Sequence, residues 1–400
     1  MLLNRERALA TMEKYDLEAL VATSAENVYY LSDYFTEHLY HFAPGGFAGA
    51  VLPRDPDKPA TLIIQEWELP QLTEKPTWMP QTRVLTGFDV YAPEGAELGP
   101  TETKLLELIG EGRKRGGDNR QRLLASVLAE QGLGSARVAF DEPATVEELR
   151  ANELPDVHSA GGVNVFREIR NVKTPDELTL LRHAALVNET ALRTVANILD
   201  VGVTPRELLR TYRASMAEQG GYGSHMTGGG GIHPWLSHPN LSYRFKDGDV
   251  VYLDPAGHYH RYWGDIGRAA IVGEPTAKLE ERYGRLQDCH RAVVPMLRPG
   301  TRSEDVTAAA HRAVEGHIAG GFVPLIHSIG LEHYDHPQSL GTFLSESFDL
   351  EDGMVVNFET LYFELGWGLI QLEDTYLISG GEPERLQTTP QEPYVCPAVP

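Results

Sequence analysis

Apolar positions recur at helical spacing over Arg5–Tyr15, where Ala8 and Met12 share one side, and then give way to the short strand-like run Ala19–Ala22. A further apolar stretch, Val28–Leu31, follows. Residues 48–52 and 60–64 read as strands, separated by a Pro- and Asp-rich segment with turn chemistry. Residues 86–104 are rich in Pro and Gly and read as loop. A helical pattern returns over residues 120–131, stopped by Gly132, and residues 136–140 form another strand-like run. Such alternation predicts a small α/β domain.

The pattern changes near residue 165. Thr174-Pro175-Asp176-Glu177 reads as a capping box with Pro at the first helical position, opening a long helix toward Leu199. Thr204-Pro205-Arg206-Glu207 repeats the device, and Ser303-Glu304-Asp305 opens a further helix that ends at Gly320. Between and after these helices lie apolar strand-like runs at residues 250–253, 269–272, 354–358 and 369–377. Two halves, each made of helices followed by paired strands, predict an α+β domain over 165–400 after a smaller one at 1–164.

Charge narrows the partners. The chain has 400 residues, with Lys+Arg 35 against Asp+Glu 57 and a formal net charge of -22. That surface disfavours nucleic acid and anionic membrane, both of which want basic patches. The two cysteines, Cys289 and Cys396, make no disulfide framework or zinc site, which fits a reducing compartment. The charged N-terminus has no signal-peptide core, and no apolar run approaches a membrane span, so a cytoplasmic protein is expected.

Five side chains of metal-ligand type fall where strands end or are interrupted. Asp254 follows Val250–Leu253, and Asp265 comes after a turn-rich segment that reads as a hairpin. His327 follows residues 323–326, Glu359 ends one strand, and Glu373 interrupts another. Charge is costly to bury at such places, and four carboxylates together repel unless cations neutralise them. Taken singly, each residue fits equally well a solvated or ion-paired strand end. Together, four carboxylates and one imidazole suit Mn²⁺, Fe²⁺, Co²⁺ or Zn²⁺, and suffice for two ions about 3.5–4 Å apart.

These residues resemble the motifs of the pita-bread metallohydrolases, the family of prolidase, aminopeptidase P, methionine aminopeptidase and creatinase. Residues 25–33 resemble the Asn-x-x-Tyr-Leu stretch of a creatinase-type N-terminal domain, and residues 167–177 the Arg-x-x-Lys-x-x-Glu entry to the catalytic domain. Residues 248–254 with 264–268 resemble the two-aspartate hairpin, residues 327–331 the His-x-x-Gly-Leu motif, and Glu359 with residues 372–374 the two glutamate motifs. The resemblance implies an α/β creatinase-type domain at 1–164 and an α+β pita-bread catalytic domain at 165–400. It implies two divalent ions, Mn²⁺ foremost. Asp254 would serve one, His327 and Glu359 the other, with Asp265 and Glu373 bridging. It further implies His238 as a substrate-facing histidine and Glu359 as proton shuttle, together with a homodimer.

Other groups are placed by lesser signals. His233, His258 and His260 read as surface or supporting residues, and Trp67 and Trp235 as core. Gly228–Gly231 lacks the Lys-Ser/Thr of a phosphate loop and reads as backbone passing close to the site.

Three positions depart from the peptidases of the family. Seven residues beyond His327, where a second histidine is usual, stands Tyr334; the nearest analogue is His336, expected at the substrate. Gln371 occupies the place of an Arg, and loss of that cation alters which anionic group the site can hold. Ala256 replaces a glycine. The expected activity is hydrolysis of short peptides or small amides, as in Xaa-Pro aminopeptidase or prolidase. The alternative is a relative acting on a small charged metabolite, like creatinase, ectoine hydrolase or dimethylsulfoniopropionate lyase, with Asp335 as an added base. A catalytically silent relative is expected to shed ligands, and all five are retained.

Overall fold

In the computed structural model, which describes residues 1–42, 46–88, 90–115, 117–160, 162–230, 240–318, 320–339 and 347–397, the chain forms two units, Met1–Arg170 and Asn171–Pro400. The first carries strands β1 (Ala19–Ala22), β2 (Gly49–Pro53), β3 (Thr61–Gln65), β4 (Gln81–Leu85), β5 (Arg137–Phe140) and β6 (His158–Ser159). They form one sheet of order β4-β3-β2-β1-β5-β6, with β1 antiparallel to β2 and parallel to β5. Its helices are α1 (Arg5–Lys14), α2 (Ala25–Ser32), α3 (Glu37–His41), α4 (Leu69–Glu74), α5 (Pro100–Lys114), α6 (Arg120–Glu130), α7 (Pro143–Asn152) and α8 (Gly162–Arg170).

Several details differ from the sequence reading. The apolar stretch Val28–Leu31 is helical, because Ser24 caps α2 by accepting from the Asn27 N–H. The loop expected to 104 ends at Pro100, the first residue of α5. Trp67 is 38% exposed rather than core, resting against His38 and Phe88. The division expected at 164/165 would cut α8. That helix stays with the first unit because it buries Val165, Phe166 and Ile169 and packs on α1 and β5.

The second unit opens with α9 (Pro175–Ile198) and α10 (Pro205–Glu218), each started by the capping box that the sequence predicts. Strands β7 (Tyr222–Gly230), β8 (Val250–Tyr259), β9 (Tyr262–Asp265) and β10 (Arg268–Val272) follow, then α11 (Ala277–Val293) and α12 (Ser303–Val314). The remaining strands are β11 (Phe322–Ser328), β12 (Asp335–Ser339), β13 (Val355–Glu364), β14 (Gly368–Leu377), β15 (Glu384–Arg385) and β16 (Tyr394–Cys396). One sheet has the order β16-β10-β8-β7, with β9 paired to β8; the other runs β12-β11-β13-β14-β15.

Each sheet buries one face under a helix pair. Val187, Leu192, Leu208 and Tyr212 of α9 and α10 pack on Val251, Leu253 and Ala270, while Val293, Val306 and Ala310 of α11 and α12 pack on Ile326, Val356 and Phe358. Alternation along a strand sends the neighbouring residues, Tyr252 and Asp254 or Asn357 and Glu359, to the opposite face. There the sheets meet, with Tyr252 packed against Leu361 and Leu369. Close approach needs glycine at Gly264, where a Cβ would come within 2.5 Å of the Ala184 carbonyl on α9. A Gly267–Glu373 bridge links the sheets, the Glu373 N–H donating to the Gly267 carbonyl at 3.0 Å.

The capping carboxylate Glu177 is buried, accepting from the Thr174 N–H at 2.8 Å and the Tyr262 hydroxyl at 3.1 Å. Burial, opposed by the nearby Lys173 charge, pushes its carboxyl from 4.5 up to about 7. The folded chain therefore holds this proton more tightly than the unfolded one. Its contribution to stability is complete below pH 4.5 and is lost as pH rises through about 7. A Glu177→Gln chain keeps the cap and cannot ionise, so its urea midpoint should fall less than wild type's between pH 5 and pH 8. An equal fall in both proteins would refute this account of the group.

Candidate metal centre

The register explains how distant residues converge. In the β7–β8–β9 ribbon, His225 lies opposite Ala256, which lies opposite Asp265. Asp254, two residues before Ala256, shares its face, so the two aspartates are diagonal neighbours across the hairpin. In the other sheet, Leu325 is opposite Glu359 and Glu359 is opposite Glu373; His327 lies two residues beyond Leu325 on the same face. Asp254, Glu359 and Glu373 sit within their strands, while Asp265 closes β9. His225, Asp254, Asp265, Leu325, His333, Tyr334, Glu359, Leu361 and Glu373 line a cavity of about 230 Å³.

Asp265, His327 and Glu373 bring one ligand atom each to within 4.8 Å of one another, and His327 Nε2 stands 4.0 Å from Glu373 Oε1. His327 is fully buried, with Nδ1 placed 3.0 Å from the Ser328 carbonyl. An Nδ1–H donated there leaves the Nε2 lone pair beside the Asp265 and Glu373 carboxylates. Burial pushes this imidazole down to about 4, so it is neutral at neutral pH.

Three of the carboxylates are held by neighbouring side chains, Glu373 at both oxygens and Glu359 and Asp265 at one. Asn357 donates to Glu373 Oε1 at 2.9 Å, and Gln371 Nε2 donates to Glu359 Oε2 and Glu373 Oε2, both at 3.0 Å. His333 Nε2 lies 2.6 Å from Asp265 Oδ2, its ring stacked 5.2 Å from Trp263. Three buried atoms, Asp265 Oδ1, His327 Nε2 and Glu359 Oε1, have no hydrogen-bond partner among the described residues. Burial first, and then the neighbouring carboxylates, pushes Glu359 and Glu373 well above the usual carboxylate range. Asp265 goes the other way: burial would raise it, but the His333 charge and hydrogen bond hold it down. Unpartnered oxygen and nitrogen lone pairs inside a carboxylate cluster are what divalent cations satisfy, so the donor set fits metal.

The other expected residues fare differently. His238, His233 and Trp235 lie outside the described residues. His336 is half-buried and is not among the cavity's lining residues. It falls in the irregular stretch of β11–β12 pairing, where His327 meets Gln338 and Ser328 meets Asp335. Asp335, considered as an added base, is buried 3.7 Å from the Lys173 ammonium and is also not a lining residue. His258, read as a surface or supporting residue, is buried between the rings of Tyr222 and Trp263. Gly228–Gly230 of the Gly-rich run belong to β7, with Gly228 opposite Leu253.

Sequence reasoning passes over His225 and His333. His225 reaches the site only through strand register, which spacing does not reveal. His333 lies beside Tyr334, whose ring is 4.3 Å from that of His327, so the wall beside the His327 imidazole is Tyr and His rather than His336.

Residues 179–380 match the family described as Metallopeptidase family M24, and residues 4–172 the Creatinase/Prolidase N-terminal domain. An uncharacterized peptidase, YqhT, of Bacillus subtilis is 27% identical over 276 residues, 66% of this chain and 76% of that one. An Xaa-Pro dipeptidase of Pyrococcus furiosus is 25% identical over 238 residues, 57% of this chain and 66% of the other. The solved structure of the prolidase from Pyrococcus horikoshii superposes with a TM-score of 0.74 at 20% identity, covering 97% of this chain and 98% of that one. That likeness extends the α+β fold with its N-terminal α/β unit over nearly the whole length. With both parts matched in order and a donor set built for cations, the chain belongs to metallopeptidase family M24 and is a metal-dependent hydrolase.

Proposed function

We propose that this protein cleaves the amide bond of short Xaa-Pro peptides, using two divalent ions. The observation that carries the reading is one cavity lined by Asp254, Asp265, Glu359 and Glu373, beside the free Nε2 of His327. Asp254 would serve one ion and His327 with Glu359 the other, Asp265 and Glu373 being available to both. Bound there, divalent ions supply Lewis acidity toward a carbonyl oxygen and toward water at neutral pH.

The chain's own groups do the rest. Glu359, its Oε2 held by Gln371, has Oε1 available to take a proton from water and pass it to the leaving nitrogen. Leu325 and Leu361 give the substrate side chain an apolar wall. His238 belongs to the same reading as a hydrogen-bond donor to the scissile carbonyl, on the strength of the resemblance. So do Mn²⁺ as the working ion, a homodimer and a cytoplasmic setting; among the described residues no helix is long and apolar enough to cross a membrane. The names of the similar proteins, an Xaa-Pro dipeptidase and a prolidase, favour this substrate class.

The test is a substrate panel on metal-stripped protein, with Mn²⁺, Co²⁺, Fe²⁺ or Zn²⁺ restored. Ion-dependent release of proline from Xaa-Pro dipeptides, or of the first residue from longer Xaa-Pro peptides, is the expected result. Turnover confined to betaines or other small charged metabolites would overturn the peptide reading.

A further inference from the structure

The fully buried amide of Gln371 lies across the two glutamates rather than beside one of them. Its Nε2 donates to Glu359 Oε2 and to Glu373 Oε2, 3.0 Å each, so both amide hydrogens are used and each glutamate is tied by one of them. The reverse amide orientation would point its oxygen at two carboxylate oxygens, which fixes the assignment chemically. The side chain is pressed onto Gly267, where a Cβ would come within 2.6 Å of Gln371 Cδ and Cγ. Any side chain at Gly267 would displace the amide. Gly267 is also the residue that bridges the two sheets to Glu373, so the amide rests on the seam from which the ligands project.

We propose that Gln371 is a positioning residue that locks Glu359 and Glu373 into one coordinating unit by hydrogen bonds, adding no charge of its own. The neutral amide fixes one oxygen of each glutamate and so sets the direction of the other. Ion affinity in this protein therefore depends on residue 371 through the geometry of these donors. This rests on the two-ion reading above.

The experiment is calorimetric titration of Mn²⁺ and of Co²⁺ into metal-stripped wild type, Gln371→Met and Gln371→Lys, with the visible absorption of bound Co²⁺ as a second readout. Wild type should bind two equivalents. Gln371→Met keeps the shape and loses both donors; its affinity should fall by about 10–100-fold, as for other groups that orient metal ligands, and its Co²⁺ spectrum should change. Gln371→Lys keeps N–H donors and, like the Arg usual at this place in the family, should leave both equivalents bound with a smaller loss of affinity than Gln371→Met. Thermal unfolding of the stripped proteins checks that each variant is folded, and if the Lys chain is not, the Met chain decides alone. A folded Gln371→Met chain that binds both ions with wild-type affinity and spectrum overturns the role of Gln371. A folded wild type that takes up fewer than two ions overturns the two-ion reading instead, and this proposal with it.

Discussion

Replacing His327 by alanine is expected to abolish turnover and to remove one equivalent of bound ion while the chain remains folded. The imidazole is fully buried and its Nδ1 faces the Ser328 carbonyl, so the ring cannot turn to present another atom. Its Nε2 is the unpartnered nitrogen beside the carboxylates, and burial keeps it neutral. Alanine supplies no donor, and no water in the vacated space would match imidazole as a ligand for a borderline cation. Residues that merely orient ligands are worth about 10–100-fold in affinity or activity; loss of a ligand should exceed the upper end of that range in kcat/KM. Metal analysis, kcat/KM on an Xaa-Pro dipeptide and far-ultraviolet circular dichroism together test it. A folded variant with wild-type ion content and activity would refute the assignment of His327.

Breaking the Arg268–Asp374 pair is expected to destabilise the second unit by about 3–5 kcal/mol, the range for removing one partner of a buried ion pair. Both side chains are fully buried, with Arg268 Nη2 2.7 Å from Asp374 Oδ1. The guanidinium also donates to the carbonyls of Gly267, Glu373, Thr389 and Pro390, sewing β10 to β14 and to the C-terminal segment. Asp374→Ala leaves that cation without its carboxylate; Arg268→Met strands Asp374 with Arg385 and Gln391 as remaining donors. Urea denaturation of the two single variants and the double Arg268→Met, Asp374→Leu measures the coupling. The double should be more stable than the Asp374→Ala chain, because it buries no lone charge. Single variants within about 1 kcal/mol of wild type would show that the pair contributes no more than an exposed one does.

Much of this was legible in the chain itself. The capping boxes at Thr174 and Thr204 announce their helices because the cap is a local arrangement of four residues. The five ligand-type residues could be picked out because each places an ionisable group at or beside an apolar run and because together they match the motifs of the pita-bread family. Long-range register was not legible. Nothing in the spacing of 225 and 265 says that Ala256 will stand between them, and nothing in the run 333–336 says which histidine faces the cavity. His336 was the nearer match to the family pattern, yet the irregular β11–β12 pairing gives that wall to His333 and Tyr334. Burial was equally hidden for His258, whose aromatic neighbours come from strands on both sides.

The two aspartates belong to one sheet and His327, Glu359 and Glu373 to the other, with the Gly267–Glu373 bridge at the join. Cations drawing on both sets would act as rivets between halves that otherwise push apart by like charge. Chelation should then loosen the molecule along that line before anywhere else, and amide exchange near Gly267 should quicken ahead of global unfolding. Catalytic readiness and mechanical cohesion in this enzyme would rise and fall with the same ion supply.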